Sequence, residues 1–377
     1  MNIVIAPDSF KECLSAKEVA TAIAMGVFEA ISDVEVFKIP ISDGGEGLLE
    51  TLMQGSGGKF VEVVVKDPLM RSIKASYGIL EDKKTAVIEM ALASGLELLK
   101  ENEKNPMLTS TYGTGQLIKD ALDNGCTKII IGIGGSATND GGAGMARALG
   151  AKFLNKKGEE LNEGGGSLNE LNNIDLSNFD DRLSRCEVVV ACDVSNPLTG
   201  QNGASMVYGG QKGGSHEDLL KLDKNLAHLA AIIKSELQID IAETPGAGAA
   251  GGIGAALMAF MKGRLVNGIE LVLETLKMEE YIKSADLVIT GEGKIDGQTL
   301  HGKTIAGIAK MAKKYRVPVV VITGKIGEDI EPIYDMGVCG VYSIVNEPMD
   351  LHQAITEAPK LIQNSVKNII GTIKCFR

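Results

Sequence analysis

Short apolar runs alternate with amphipathic stretches over the first 66 residues. Residues 2–6, 34–39 and 60–65 are apolar runs of strand length. After the first, Ser15-Ala-Lys-Glu18 has the form of a capping box, and Val19, Ile23, Ala24, Val27 and Phe28 follow at helical spacing. Asp43-Gly-Gly-Glu46 opens a second helix through Met53. This βαβαβ order predicts parallel strands joined by right-handed crossovers. The same grammar returns near the end. A strand is expected at 286–290, a helix at 303–315, strands at 317–323 and 341–345, and a helical stretch at 351–370 with Leu361, Ile362 and Val366 inward. Residues 1–67 and 285–377 together predict one discontinuous, doubly wound, Rossmann-like α/β domain of about six strands.

Residues 68–284 pattern differently. Runs at 75–80 and 85–90 flank Glu81-Asp82-Lys83-Lys84 and predict an antiparallel hairpin. Strands are expected at 128–133, 187–192 and 204–208, and helices at 115–124, 140–149, 216–237 and 250–261. The reading is a second, mixed α/β domain with glycine-rich loops, inserted into the first.

Composition narrows the function. A chain of 377 residues exceeds one ordinary core. Its net charge of −11 repels nucleic acid and anionic membrane, and the lack of tryptophan leaves little for stacking bases. We therefore expect no nucleic-acid and no membrane partner, and small-molecule substrates instead. Pro7 and Asp8 interrupt the N-terminal apolar run, which does not read as a signal peptide. Six scattered cysteines without C-x-x-C spacing predict reduced thiols of a cytoplasmic protein.

In an open parallel sheet, ligands gather at the carboxyl ends of strands. Asp8, Ser9 and Lys11 follow the first strand, Asp43 and Glu46 the second, Glu292, Lys294 and Asp296 the strand at 286–290, and Lys325 the strand at 317–323. Asp43 and Glu46 equally satisfy a capping box, and both readings stand. In the inserted segment, a glycine stretch follows an apolar strand and enters a helix. Its Gly134, Gly135, Ser136, Thr138, Asn139 and Asp140 have the context of a phosphate cradle. Asp193, ending the strand at 187–192, suits metal ligation, proton acceptance or an Asx-turn. GQTLHGKT at 297–304 matches the Walker A pattern letter for letter. With the expected strand ending at Thr290, no strand leads into it, and the match reads as accidental.

Taken together, APDSFK (6–11), SDGGEG (42–47), DPLMR (67–71), IGIGGSATNDGGAG (131–144), ACDVSNPLTG (191–200), QKGG (211–214), PGAGAAGG (245–252) and ITGEGKIDGQTLHGK (289–303) resemble the type I glycerate kinase family over nearly the whole chain. The resemblance departs at Lys11-Glu12-Cys13, where the family pattern is Lys-Gly-Ser/Thr, and at Met70, where glycine is usual. It implies phosphorylation of D-glycerate by ATP and magnesium, at the 2-hydroxyl, in a cleft between the two domains. Glu292 and Asp296, with Asp193, are then candidates for magnesium. Lys11, Lys212 and Lys303 could neutralise phosphate oxygens, and Asp43 or Asp193 could accept the hydroxyl proton. Asp8, Ser9, Arg71 and Lys303 are the candidates for holding glycerate, with Arg71 clamping its carboxylate. A homodimer is left open. The alternative from another class is a non-catalytic two-domain sensor of a small anion; a nicotinamide dehydrogenase comes third.

Overall fold

The apolar runs become strands of two main sheets in a computed structural model that describes residues 1–42, 47–300 and 304–375, the side chains of Gln298 and Leu300 excepted. In chain order the first strands are β1 (Asn2–Ile5), β2 (Glu35–Lys38), β3 (Gly58–Lys66), β4 (Ser72–Leu80), β5 (Thr85–Glu89), β6 (Lys128–Gly132), β7 (Lys152–Leu154) and β8 (Asn173–Asp175). They continue with β9 (Glu187–Ala191), β10 (Arg264–Val266), β11 (Leu287–Ile295), β12 (Val319–Ile326) and β13 (Val338–Ser343). Two compact units divide the chain, one comprising Met1–Asp43 and Ile269–Arg377, the other Gly44–Gly268.

The first unit is built on an all-parallel sheet of order β13-β12-β11-β1-β2. A parallel strand covered on both faces needs a continuous apolar run, and Ile3, Val4 and Ile5 of β1 are wholly buried. On one face the helix Ala16–Ala30 starts at a capping box, in which Ser15 Oγ accepts from the Glu18 N–H and the Glu18 carboxylate accepts from the Ser15 N–H. Its Val19, Ile23 and Val27 pack with Leu361, Ile362 and Val366 of the helix Ala358–Lys374. Each such burial stabilises by roughly 1.5–3 kcal/mol. Gly26 lets the helices close, because a Cβ there would lie 2.5 Å from the Gln363 carbonyl oxygen.

The second unit holds a mixed sheet of order β10-β9-β6-β5-β4-β3, in which β4 runs antiparallel to both β3 and β5, as the expected hairpin requires, and β5, β6, β9 and β10 are parallel. Ile129, Ile131, Val188 and Val190 join Leu117 and Ile118 of the helix Tyr112–Asp123 and Ile253 and Leu257 of the helix Ala249–Met261 in one core. A second core surrounds the helix His216–Leu237 and includes Phe153 of the small β7–β8 pair.

Several sequence expectations change. The third apolar run, β3, does not continue a parallel βαβαβ unit, and the first sheet has five strands. β3 pairs antiparallel with β4 from Gly58↔Leu80 to Lys66↔Ser72. The cause is the tight turn between them, where Asp67 Oδ1 accepts from the N–H groups of Leu69 and Arg71 and makes a local hairpin cheaper to close than a crossover. Residues 204–208 form a helix, Ala204–Tyr208, not a strand. Five residues are too few to separate a period of 2 from one of 3.6. The compact units meet at Asp43/Gly44 and Gly268/Ile269, whereas the sequence boundaries lay at 67/68 and 284/285. The hairpin draws β3 into the second unit, and Ile269 and Leu273 lie against Gly307 in the first.

Candidate active site

In the second unit, β6 delivers the glycine stretch to the edge of a pocket of about 440 Å³. Gly134 and Gly135 are exposed at its rim. Gly135 has φ +71°, a left-handed conformation that glycine adopts without strain. The loop is pinned by Leu96 N–H donating to the Gly135 carbonyl at 2.8 Å and Ala137 N–H to the Ser94 carbonyl at 2.9 Å. Lys212 enters from the 3-10 turn Gly210–Lys212 and is 2% exposed. Its Nζ donates to Ser136 Oγ at 2.6 Å and to the Thr138 carbonyl at 2.7 Å. Burial pushes its ammonium down to about 7, against the pull of the Asp140 carboxylate. Asp193, Gln211 and Tyr208 line the same pocket. Asp193 Oδ1 accepts from the Gly268 N–H at 2.8 Å.

Asp140 lies deeper and is wholly buried. Its carboxylate accepts from Thr111 N–H and Thr111 Oγ1, both at 2.8 Å, from Gly142 N–H at 3.1 Å and from Gly144 N–H at 3.2 Å. Burial raises its carboxyl above the usual range while those bonds pull it back. The N-terminus of the helix Ala143–Ala148 is thus served by a carboxylate of the chain itself. Thr138 and Asn139 are also buried; Asn139 Oδ1 accepts from Ser205 Oγ at 3.2 Å. Among the described residues Thr138 Oγ1 and Asn139 Nδ2 find no hydrogen-bond partner.

In the first unit, the end of β1 lies along β11. Asp8 N–H donates to the Gly291 carbonyl at 2.8 Å, and a Cβ on Gly293 would sit 3.3 Å from the Phe10 Cα. This brings the segment 8–11, with Ser9 and Lys11, beside Glu292. Asp8 accepts from Ser9 N–H at 2.6 Å and from Thr304 Oγ1 at 2.6 Å. Glu292 accepts from Thr299 Oγ1 at 2.5 Å, and Asp296 from Lys294 Nζ at 2.6 Å. Among the described residues no three His, Cys, Asp or Glu side chains converge as a preformed metal cage. Glu292 and Asp296 each offer the oxygen donors that magnesium takes, which binds through one or two carboxylates and completes its shell with water and phosphate.

A family model described as the glycerate kinase family matches residues 3–374. The chain belongs to the glycerate kinase family. It is 50% identical to the glycerate 2-kinase of Escherichia coli (strain K12) over 373 residues, 99% of this chain and 98% of the relative. It is 48% identical to a glycerate kinase of Halalkalibacterium halodurans over 98% of this chain and 97% of the relative. A crystal structure named for a glycerate kinase 2 of Salmonella typhimurium LT2 superposes with a TM-score of 0.92 at 46% identity, covering 100% of this chain and 98% of that one. Glycerate kinases are phosphotransferases, so the chain is read as an enzyme of that class.

The structure brings Lys212, Ser136, Gly134, Gly135 and Asp193 into one pocket of this family member, and Asp8, Ser9, Lys11 and Glu292 onto one edge of its other unit. Arg71 meets two carboxylates of the chain, Asp67 at 2.5 Å and Glu103 at 2.8 Å. Asp43 and Lys303 lie outside the described residues. The strand before GQTLHGKT was expected to end at Thr290, and the structure corrects this. β11 runs on to Ile295, so a strand does approach the loop. Within the described part of the match, Gly297 N–H donates to the Glu328 carbonyl at 3.1 Å and Thr299 N–H to that of Asp296 at 2.9 Å, so neither is turned outward; Gly302 and Lys303 lie outside the described residues. Tyr208 and Thr111 escaped the sequence reading; only the fold sets the one at the pocket and the other on Asp140. At the two departures from the family pattern, Glu12 has φ +61° and Met70 φ +65°, where glycine would be unstrained.

Proposed function

We propose that this protein transfers the γ-phosphoryl group of ATP to the 2-hydroxyl of D-glycerate, giving 2-phosphoglycerate and ADP, with magnesium. The supporting observation is the pocket in which the buried Lys212 ammonium, exposed glycine backbone and the Asp193 carboxylate meet. Its volume of about 440 Å³ and apolar walls, among them Leu96, Ile133 and Val194, suit a nucleotide better than glycerate alone. Phosphoryl transfer needs positioning and charge neutralisation more than covalent chemistry. Lys212 would face the phosphate oxygens, whose charge favours its ammonium form. Gly134 and Gly135 would offer N–H donors, and Asp193 would take the hydroxyl proton. Ser9, Lys11 and Lys303 would hold glycerate, while Arg71 braces its own turn against Asp67. Glu292 and Asp296 would hold magnesium, which when bound neutralises phosphate charge.

The partners are glycerate and ATP, and the proposed assembly is a homodimer. Among the described residues no helix is long and apolar enough to cross a membrane. All six cysteines are free of disulfides, which supports a cytoplasmic placement. A non-catalytic anion sensor finds no support in relatives named as kinases. The test is ADP release from ATP and magnesium on adding D-glycerate, with the product resolved by phosphorus NMR. A 2-phosphoglycerate resonance is expected. A 3-phosphoglycerate resonance would overturn the position, and ADP release independent of glycerate would overturn the activity.

A further inference from the structure

We infer that Ser136 is a positioning residue for Lys212. With the Thr138 carbonyl it takes two of the three ammonium protons inside the protein and leaves the third for a phosphate in the pocket. The inference deepens the nucleotide reading of this pocket and rests on it.

An ammonium carries three N–H donors and no acceptor. Lys212 Nζ gives one to Ser136 Oγ at 2.6 Å and one to the Thr138 carbonyl at 2.7 Å, and among the described residues it meets no third acceptor. Both partners are neutral. Asp140, the carboxylate whose charge acts on the ammonium, gives its oxygens to Thr111, Gly142 and Gly144 instead. A buried charge held only by neutral groups is costly until an opposite charge completes it. Lys212 lines the pocket, so an anion entering there can supply that charge.

The two inner acceptors are fixed by backbone. The left-handed turn at Gly135 delivers Ser136, which forms an isolated antiparallel bridge with Gly95. Gly95 has no room for a side chain, because a Cβ there would lie 2.2 Å from the Ala91 carbonyl oxygen. Ser136 is 7% exposed and itself lines the pocket. The Thr138 carbonyl is packed against Gly251, where a Cβ would come within 2.0 Å of its oxygen. Lys212 ends a 3-10 turn closed by its own N–H, which donates to the Gly209 carbonyl at 3.1 Å. A flexible lysine stem is thereby held in one geometry before the ligand arrives, which lowers the ordering cost of binding.

The titratable groups around the ammonium are Asp140, lying deeper, and Glu97, Cys192, Asp193 and Tyr208 of the pocket wall. A hydroxyl that accepts from an ammonium favours its charged form. Burial already depresses Lys212 to about 7. Losing the Ser136 hydroxyl adds to that effect, and the amine then sheds its proton at a lower pH.

The experiment is calorimetry of ADP binding to the full chain at about pH 6 and about pH 8. Ser136→Ala should bind within about twofold of the wild type at the lower pH. At the higher pH it should bind about tenfold more weakly, because fewer of its molecules carry the Lys212 proton. Comparing variants at one pH cancels the titration of ADP itself. Ser136→Thr, which keeps the oxygen, should restore the wild-type behaviour. In a Lys212→Met background, Ser136→Ala should change the affinity by less than about twofold, since the two residues act as a unit. Urea unfolding checks that each variant is folded. A deficit equal at both pH values, or one that survives in Lys212→Met, would overturn the positioning role. A wild type that binds ADP but does not phosphorylate glycerate would overturn the kinase reading and leave this inference standing. A wild type that binds no ADP at either pH would overturn both.

Discussion

The segments that follow β6 and β11 both carry glycine between a strand and a helix, yet they direct their backbone oppositely. The one spelled as a Walker loop turns the N–H groups of Gly297 and Thr299 onto carbonyls of the chain, and its Thr304 hydroxyl onto Asp8. The one with no such spelling leaves Gly134 and Gly135 exposed at a pocket, and among the described residues no backbone carbonyl accepts from their N–H groups. It also has a buried ammonium beside it. A phosphate site is defined by where donors point, and a letter pattern does not encode that.

The comparison breaks most sharply at Lys212. Lys212→Met should lower kcat/KM for glycerate phosphorylation about a thousandfold or more, roughly 4 kcal/mol in transition-state stabilisation. Its stability should respond with a definite sign. Burial depresses Lys212 from 10.5 to about 7, so the unfolded chain binds the extra proton between those values. The native state therefore bears the full penalty below about pH 7 and loses it as pH rises toward the ordinary value. Urea unfolding should show Lys212→Met gaining more over the wild type at about pH 6 than at about pH 9. A difference that ignores pH would mean the ammonium is hydrated.

Asp140→Ala separates architecture from ligand contact within the same stretch. Removing a buried acceptor of four bonds should destabilise by on the order of 3 kcal/mol, seen as a lower urea midpoint. Unchanged stability with lost nucleotide affinity would return Asp140 to the binding surface.

The other side is sharpened by its carboxylates. Asp296→Asn should lower turnover about a hundredfold and raise the magnesium requirement, with melting temperature kept, and Glu292→Gln should do so more weakly. Magnesium dependence unchanged in both would leave Asp193 as the better ligand. Thr304→Val should cost about 1 kcal/mol of stability for its bond to Asp8 and leave turnover within about tenfold. A much larger loss tied to magnesium would restore the phosphate-loop reading. The smallest effect is expected at Met70→Gly, a gain of about 0.5 kcal/mol from relieving the left-handed backbone, read by thermal unfolding.

Strands of the first sheet were legible because β1 and β12 are continuous apolar runs, as double-sided burial demands. β11 was read five residues short because Gly291 and Gly293 look like a turn. Gly291 is in fact required inside the ladder, where a Cβ would meet the Ile322 carbonyl oxygen at 2.1 Å. At the site, the glycine stretch and Asp193 could be found from their place after strands. Lys212 was named with Lys11 and Lys303 through the resemblance, but nothing in the string set it apart from those two, since burial is a property of the fold. Asp140 carried the right chemistry for the wrong reason visible in a string: its partners Thr111, Gly142 and Gly144 lie on two separate segments.

The order of the first sheet has a consequence for synthesis. β1 sits between β2 and β11, with Ile3 in register with Leu287. On the ribosome the second unit emerges before β11 exists, and at cellular elongation rates the interval is on the order of tens of seconds. Through that time β1 has one flank unpaired and its isoleucines uncovered, while Gly44–Gly268 is free to condense. The nascent N-terminus is therefore the stretch on which a chaperone would act, and a substitution weakening β1 should lower the yield of folded chains in the cell before it changes anything in the finished protein.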